Sequence, residues 1–284
     1  MNFHQPPHTY VEKVDIKVSN LDRSIQFYEQ VIGLKVLEKN GRVVHLTANG
    51  KDSLLTLHQP ENVTLNTGRT TGLYHFALLL PTRTDLANVI HHFAINGIRF
   101  GSSDHLVSEA LYLSDPDGNG IEIYRDRDPS EWTWNDEEVK MAVDPLNLQE
   151  LLSLHDQQPF TGLPAGTIMG HIHLHVSELN QTETFYTKGL GFEVVCRFGT
   201  QALFISTGKY HHHIGLNTWN GLGAPQPPEF SVGLLTFKVM YPTEEARNHA
   251  IHSLKELGAT VVDKGSYVLT KDPSGNAIEI HVKN

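Results

Sequence analysis

Only one cysteine, Cys196, occurs in the 284 residues, so no disulfide can close within the chain, and the sequence fits a reducing, cytoplasmic setting. Positive charge is also scarce. Lys and Arg total 22 against 32 Asp and Glu, and the net charge of −10 argues against a nucleic-acid partner, which requires a basic footprint. No apolar run approaches the roughly 20 residues that cross a bilayer, and the opening MNFHQPPHTY lacks a signal-peptide pattern, so no membrane association is expected. Hydrophobic residues make up 39% and charged residues 19%, which is a composition for a packed core rather than for disorder. What the chain does have is histidine, 18 of them. Histidine is a common metal ligand and general base, but a total assigns no role; positions must decide.

The chain repeats itself. VDIKVSNLDRSIQFYEQVIGL at 14–34 returns as IHLHVSELNQTETFYTKGLGF at 172–192, and SDPDGNGIEIY at 114–124 returns as KDPSGNAIEIH at 271–281. Each half also holds two similar units. A unit opens on a strand of alternating pattern (VDIKVS, YHFALLL, HIHLHVS, LLTFKVM), continues into an amphipathic helix and ends in three short strands. In the first helix Ile25, Tyr28, Val31 and Ile32 keep helical spacing, Ser19 and Asn20 are capping candidates, and Gly33 is the stop. The pattern predicts an α+β chain of four βαβββ units at about 9–59, 70–126, 167–219 and 231–283. A first domain then spans 9–126 and a second 167–284, with a linker at 127–166 whose PLNLQELLSL stretch predicts a short helix and whose remainder predicts loop.

The four units, their "FY…GL" helices and their DPDGN-type turns resemble the vicinal oxygen chelate (glyoxalase/bleomycin resistance/dioxygenase) superfamily, whose fold is two half-open β-barrels. Residues 105–122, HLVSEALYLSDPDGNGIE, further resemble the signature of type I extradiol ring-cleaving dioxygenases of the catechol 2,3-dioxygenase type. His105, Leu111, Tyr112, Asp115, Pro116, Gly118 and Glu122 match; Ser103 departs from the residues usual two places before the histidine. The resemblance implies extradiol (meta) cleavage of a small aromatic diol by O2 to a muconic semialdehyde, in aromatic catabolism or detoxification. It implies a non-haem Fe(II), with Mn(II) or another divalent metal as a substitute, and O2 as co-substrate.

That chemistry needs an open ligand set, and two histidines with one carboxylate leave three metal positions free. In the family a histidine comes from the first strand of a unit and the glutamate from a last strand. Aligned on the residues that follow them, the first strands place Lys13, His75, His171 and Thr236 at the matching position, so only units two and three offer histidine. Glu122 and Glu279 match one another, but Tyr112 precedes Glu122 where unit four has Leu269. The expected metal ligands are therefore His75, Glu122 and His171, while Glu279 reads as an ordinary strand glutamate. Collecting these three in one cup requires unit two to pair with unit three, leaving units one and four as a companion cup. An exchange between two subunits would collect the same ligands, and homo-oligomerisation is left open.

The resemblance further implies that Tyr112 and His105 stand close to the reacting oxygens. His173 and His175 share a strand face with His171 and are candidates to line the substrate site. HHH at 211–213 resembles the paired histidines that close the third unit in extradiol enzymes, which places proton transfer on His213, with His212 on the opposite face as the fallback. His91 and His92 read as surface residues of the second helix. Two other readings compete. A glyoxalase-type lyase or isomerase would carry a second carboxylate ligand, whereas the corresponding end of unit three holds His213 or Ile214. A non-catalytic binding or resistance protein would show no redox-active metal. Ring substituents stay open, hydroquinones included.

Overall fold

Period-2 alternation and turn chemistry produce the expected units in the computed structural model, which describes residues 2–66 and 68–283; Met1, Thr67 and Asn284, the last residue of the second sequence half, lie outside them. Module one comprises β1 (Tyr10–Lys17), α1 (Leu21–Phe27), β2 (Lys35–Asn40), β3 (Val43–Thr47) and β4 (Leu55–His58). Module two comprises β5 (Gly72–Leu79), α2 (Arg83–Ile95), β6 (Gly101–Asp104), β7 (Ser108–Ser114) and β8 (Gly120–Asp126). The linker holds a small hairpin, β9 (Trp134–Asn135) and β10 (Glu138–Val139), followed by α3 (Leu148–Leu152). Module three comprises β11 (Ile168–His175), α4 (Leu179–Thr184), β12 (Glu193–Phe198), β13 (Ala202–Ser206) and β14 (Ile214–Asn217). Module four comprises β15 (Gly233–Tyr241), α5 (Glu244–Glu256), β16 (Val261–Asp263), β17 (Val268–Lys271) and β18 (Ala277–Val282).

The linker hairpin corrects the expectation of loop there. Strands of two residues are too short to show any period, and packing holds them: Trp132 and Val139 join an apolar cluster with Phe3 and Tyr210.

The strands form two mixed eight-stranded sheets, ordered β16-β17-β18-β15-β1-β4-β3-β2 and β12-β13-β14-β11-β5-β8-β7-β6. Modules four and one therefore share one sheet, and modules three and two share the other. The sequence halves are repeats, but each sheet takes one module from either half, within a single chain. The seams are antiparallel: β1 with β15, and β5 with β11, where His173 lies opposite His75.

Alternation then sorts the side chains. Phe76 and Leu78 of β5, Ile121 and Ile123 of β8, and Ile172 and Leu174 of β11 all enter one continuous core cluster. His75, Glu122, His171 and His173 have the opposite parity and face the hollow of the half-barrel. A carboxylate between two isoleucines is thus compatible with a buried strand, because the isoleucines and the glutamate belong to different faces.

The repeated motifs meet across the modules. Asn20 caps α1 by accepting the Arg23 N–H, but the helix does not run to Ile32 as one α-helix; residues Tyr28–Ile32 widen into a π-helical turn that Gly33 closes at φ 90°. α4 ends in the same way over Phe185–Gly189. Each wide turn carries, at its first or second residue, a tyrosine that reaches out of its own module. Tyr28 donates to Asp115 at 3.1 Å, and Tyr186 donates to Asp272 at 3.1 Å. Asp272 also accepts the backbone N–H groups of Ser274 and Asn276 and the Asn276 side-chain amide, all within 2.9 Å. The FY and DPxGN motifs are therefore two halves of one clasp, used once between modules one and two and once between three and four.

Tyr186→Phe deletes one buried hydrogen bond to a carboxylate while leaving its other donors in place. It should lower unfolding stability by about 1.5–3 kcal/mol, read from urea unfolding with an unchanged slope.

Candidate metal centre and its cavity

Three strands converge at the seam to build the site. β5 presents His75, β11 presents His171, and β8, parallel to β5, presents Glu122. The Nε2 atoms of His75 and His171 lie 3.0 and 3.1 Å from the same oxygen, Glu122 Oε2. The ligand atoms of all three lie within 4.8 Å of one another, and all three residues are buried. Among the described residues this is the one group of three such side chains so disposed. In the companion sheet Glu279 accepts from its neighbour His281 at 3.0 Å, and Lys13 pairs with Asp15 at 3.1 Å.

The donor set fits a divalent metal ion. Two imidazole nitrogens and one carboxylate oxygen are the ligands of a facial triad. His75 Nε2 makes no hydrogen bond despite its closeness to Glu122, which leaves a buried lone pair or N–H without a partner unless an ion takes it. Burial alone would raise the Glu122 pKa, yet the facing His171 and His75 imidazoles hold the carboxyl well below the usual carboxylate range. Burial pushes His171 down, against the pull of Glu122. Both shifts favour the deprotonated forms that a metal needs.

The remaining expected residues divide. Tyr112 lies opposite Glu122 in the β7–β8 ladder, and its hydroxyl is 2.6 Å from His105 Nε2. His105 is fixed from behind, its Nδ1 donating to the Ala142 carbonyl at 2.6 Å. Burial and the nearby Glu122 raise the Tyr112 pKa well above its ordinary value, so the phenol stays protonated. His173 lines the cavity with its Nε2 unpartnered, whereas His175 lies beyond Tyr74, bonded to Asn217 Oδ1 at 2.7 Å and bordering a neighbouring cavity.

His213 stands apart from the cavity. Its Nε2 donates to the Phe3 carbonyl at 3.1 Å, its Nδ1 accepts the Thr207 N–H at 3.4 Å, and the side chain is fully buried behind the sheet. Both nitrogens are engaged by backbone groups, away from the hollow. His212 instead lines the cavity, with its ring 4.1 Å from that of His171. Residues 211–213 precede β14 and do not yet follow its alternation, so strand parity does not place them.

The cavity, about 350 Å³, is walled by Tyr74, Met141, Ala142, Val143, Phe198, Phe204 and Trp219 besides the polar groups named above. Sequence reasoning missed this wall. Phe204 carries a readable signal, since it has the parity opposite to the core residues Leu203 and Ile205. Residues 141–143 carry none: they are linker, pinned to β6 by the Asp104–Asp144 bridge. Gly215 also matters. It stands opposite His173, as Glu122 stands opposite Ala77, so it occupies the place of a second carboxylate, a position the sequence reading put at His213 or Ile214. A Cβ there would come within 2.8 Å of the His173 ring.

The model of the Glyoxalase/Bleomycin resistance protein/Dioxygenase superfamily matches residues 10–123 and 168–280. A catechol-2,3-dioxygenase of Bacillus subtilis (strain 168) is 43% identical over 279 residues, covering 97% of this chain and 97% of that protein. Biphenyl-2,3-diol 1,2-dioxygenase 3 of Rhodococcus globerulus is 31% identical over 114 residues, 39% of this chain and 60% of that protein. Among solved structures, glyoxalase I from Zea mays superposes with a TM-score of 0.59 at 15% identity, over 96% of this chain and 92% of its own, which is a likeness of fold.

Replacing His75, Glu122 or His171 with Ala should strip most of the bound metal from anaerobically purified protein, measured by elemental analysis. Glu279→Ala should retain it. Loss of metal from Glu279→Ala with retention by Glu122→Ala would place the centre in the other sheet.

Proposed function

The chain belongs to the Glyoxalase/Bleomycin resistance protein/Dioxygenase superfamily, and we propose that within it the protein is an Fe(II)-dependent extradiol dioxygenase that opens a catechol ring with O2. The observation that carries this reading is the buried two-histidine, one-carboxylate set at the base of an apolar cavity. Relatedness along the full chain to a catechol-2,3-dioxygenase supports it. His75, Glu122 and His171 would hold the iron, which supplies open positions where the diol and O2 are brought together. No second carboxylate faces this set at Gly215, the place where a lyase or isomerase of the same fold would need one.

The other residues act on the diol. Burial among other imidazoles lowers the His212 pKa well below its ordinary value, so its ring is neutral at neutral pH and serves as the base for a diol hydroxyl proton. The same ring returns that proton when the ring-opened product forms. Tyr112 stays a phenol whose hydrogen goes to His105 Nε2 at 2.6 Å, so its oxygen is held toward the cavity as an acceptor for a diol hydroxyl. Phe204, Trp219, Met141 and Val143 pack against the aromatic ring and keep water from it. Among the described residues lining the cavity none is Lys or Arg, so the site selects a catechol with an uncharged, apolar substituent. A carboxylate on the ring would be buried without a counter-charge.

Fe(II)-loaded protein should turn catechol and O2 into a yellow muconic semialdehyde, and methylcatechol should be cleaved with at least about tenfold higher kcat/KM than a carboxylated catechol. Absence of ring cleavage with iron bound would refute the reading. His212→Ala should keep iron and substrate binding and lose about 10²–10⁴-fold in kcat, whereas His213→Asn should stay active. The reverse pattern would return the role to His213.

A further inference from the structure

His212 is backed by a chain of polar contacts that leads out of the cavity. His212 Nδ1 lies 2.8 Å from His211 Nδ1, and His211 Nε2 lies 2.7 Å from Asp126 Oδ1. His211 is fully buried, with Tyr210 at 4.1 Å and Trp132 at 5.2 Å between ring centroids, so the ring cannot swing away. Asp126 is held at its outer end, where its side chain is 22% exposed and also accepts the Tyr210 hydroxyl at 3.3 Å.

Two ring nitrogens facing each other at 2.8 Å share a single hydrogen, so one imidazole donates and the other accepts. Asp126 decides which. A carboxylate only accepts, so His211 carries its hydrogen on Nε2, and the neutral ring then offers a lone pair at Nδ1. His212 donates from Nδ1 into that lone pair. Its Nε2 is consequently left bare, and this is the atom that remains open to the cavity: it has no hydrogen-bond partner and is not sealed from solvent.

We infer that Asp126 and His211 are positioning residues which fix the orientation and tautomer of His212, leaving its Nε2 as a lone pair aimed at the diol. The catalytic meaning of this rests on the extradiol reading; the tautomer does not. Neither residue touches the substrate cavity or the metal ligands' donor atoms. Their effect passes through one hydrogen position, as when an aspartate sets the tautomer of a catalytic histidine. Of the two, Asp126 is the better handle, because its partial exposure lets it be replaced without opening the core.

Imidazole ¹⁵N resonances of the zinc-loaded protein, which is diamagnetic, report the tautomer directly, with His212 assigned by its loss in His212→Asn. The expected result is hydrogen on Nδ1 and none on Nε2 of His212 in the unmodified protein. Asp126→Ala should abolish this single form and lower kcat of the iron enzyme by about 10–100-fold at unchanged KM and iron content. His211→Leu should do the same, and His211→Asn, whose carbonyl can accept from His212 Nδ1, should restore both the tautomer and most of the rate. Hydrogen on His212 Nε2 in the unmodified protein, the pattern an imidazolium at His211 would impose, overturns the inference. So does an Asp126→Ala protein with the tautomer and kcat unchanged. Where His211→Leu fails to fold, Asp126→Ala alone decides. A protein with the stated tautomer that cleaves no catechol leaves this inference standing and removes the extradiol reading instead.

Discussion

The antiparallel seam between β5 and β11 is the contact on which the site depends. Neither strand holds a ligand set by itself: β5 supplies one imidazole and β11 another, and β8 reaches the site only because it runs parallel to β5. His75 and His171 are distant along the chain, and no local turn could join them. The seam brings them to the same carboxylate oxygen, with register shifts between Met169 and His171 and between His173 and Leu174 on the β11 side. A slip of β11 by one residue against β5 would turn His171 into the core and Ile172 into the hollow.

The surrounding architecture stabilises that seam indirectly. The two Tyr–Asp clasps join the modules that are consecutive in sequence, while the two seams join modules from opposite halves. The four modules thus form a closed circuit in which every module is tied to one neighbour by strands and to another by a clasp. One core cluster fills the space that all four share. The linker and the first residues complete the circuit on the site's side, where Phe3 and Trp132 cover Tyr210 and residues 141–143 wall the cavity.

Burying a carboxylate with several imidazoles is costly unless each charge is compensated. Glu122 is 2% exposed and His171 1% exposed, and between them and His75 the negative charge is shared by two facing rings. The companion sheet resolves the same geometry differently, with Asp15 between Lys13 and His58 and Glu279 beside His281. One scaffold therefore carries a metal-type donor set in one sheet and ordinary ion pairs in the other, and only particular side chains separate them.

The sequence by itself determined a good deal. The pairing of module two with module three came from the resemblance, which implies that two histidines and one glutamate share a metal; for the four βαβββ modules, alternating strands and repeated motifs were enough. They sufficed because strand parity and internal repetition are local properties that a single chain displays. What only the tertiary structure decided lies where the chain is not periodic. Residues 211–213 sit outside any strand, so it took their hydrogen bonds to show His213 tied to Phe3 and Thr207 while His212 faces the cavity. The linker's hairpin and its cavity wall likewise follow from packing against distant residues. No pattern within 127–166 encodes those contacts, because their partners, Asp104 and Tyr210 among them, belong to other modules.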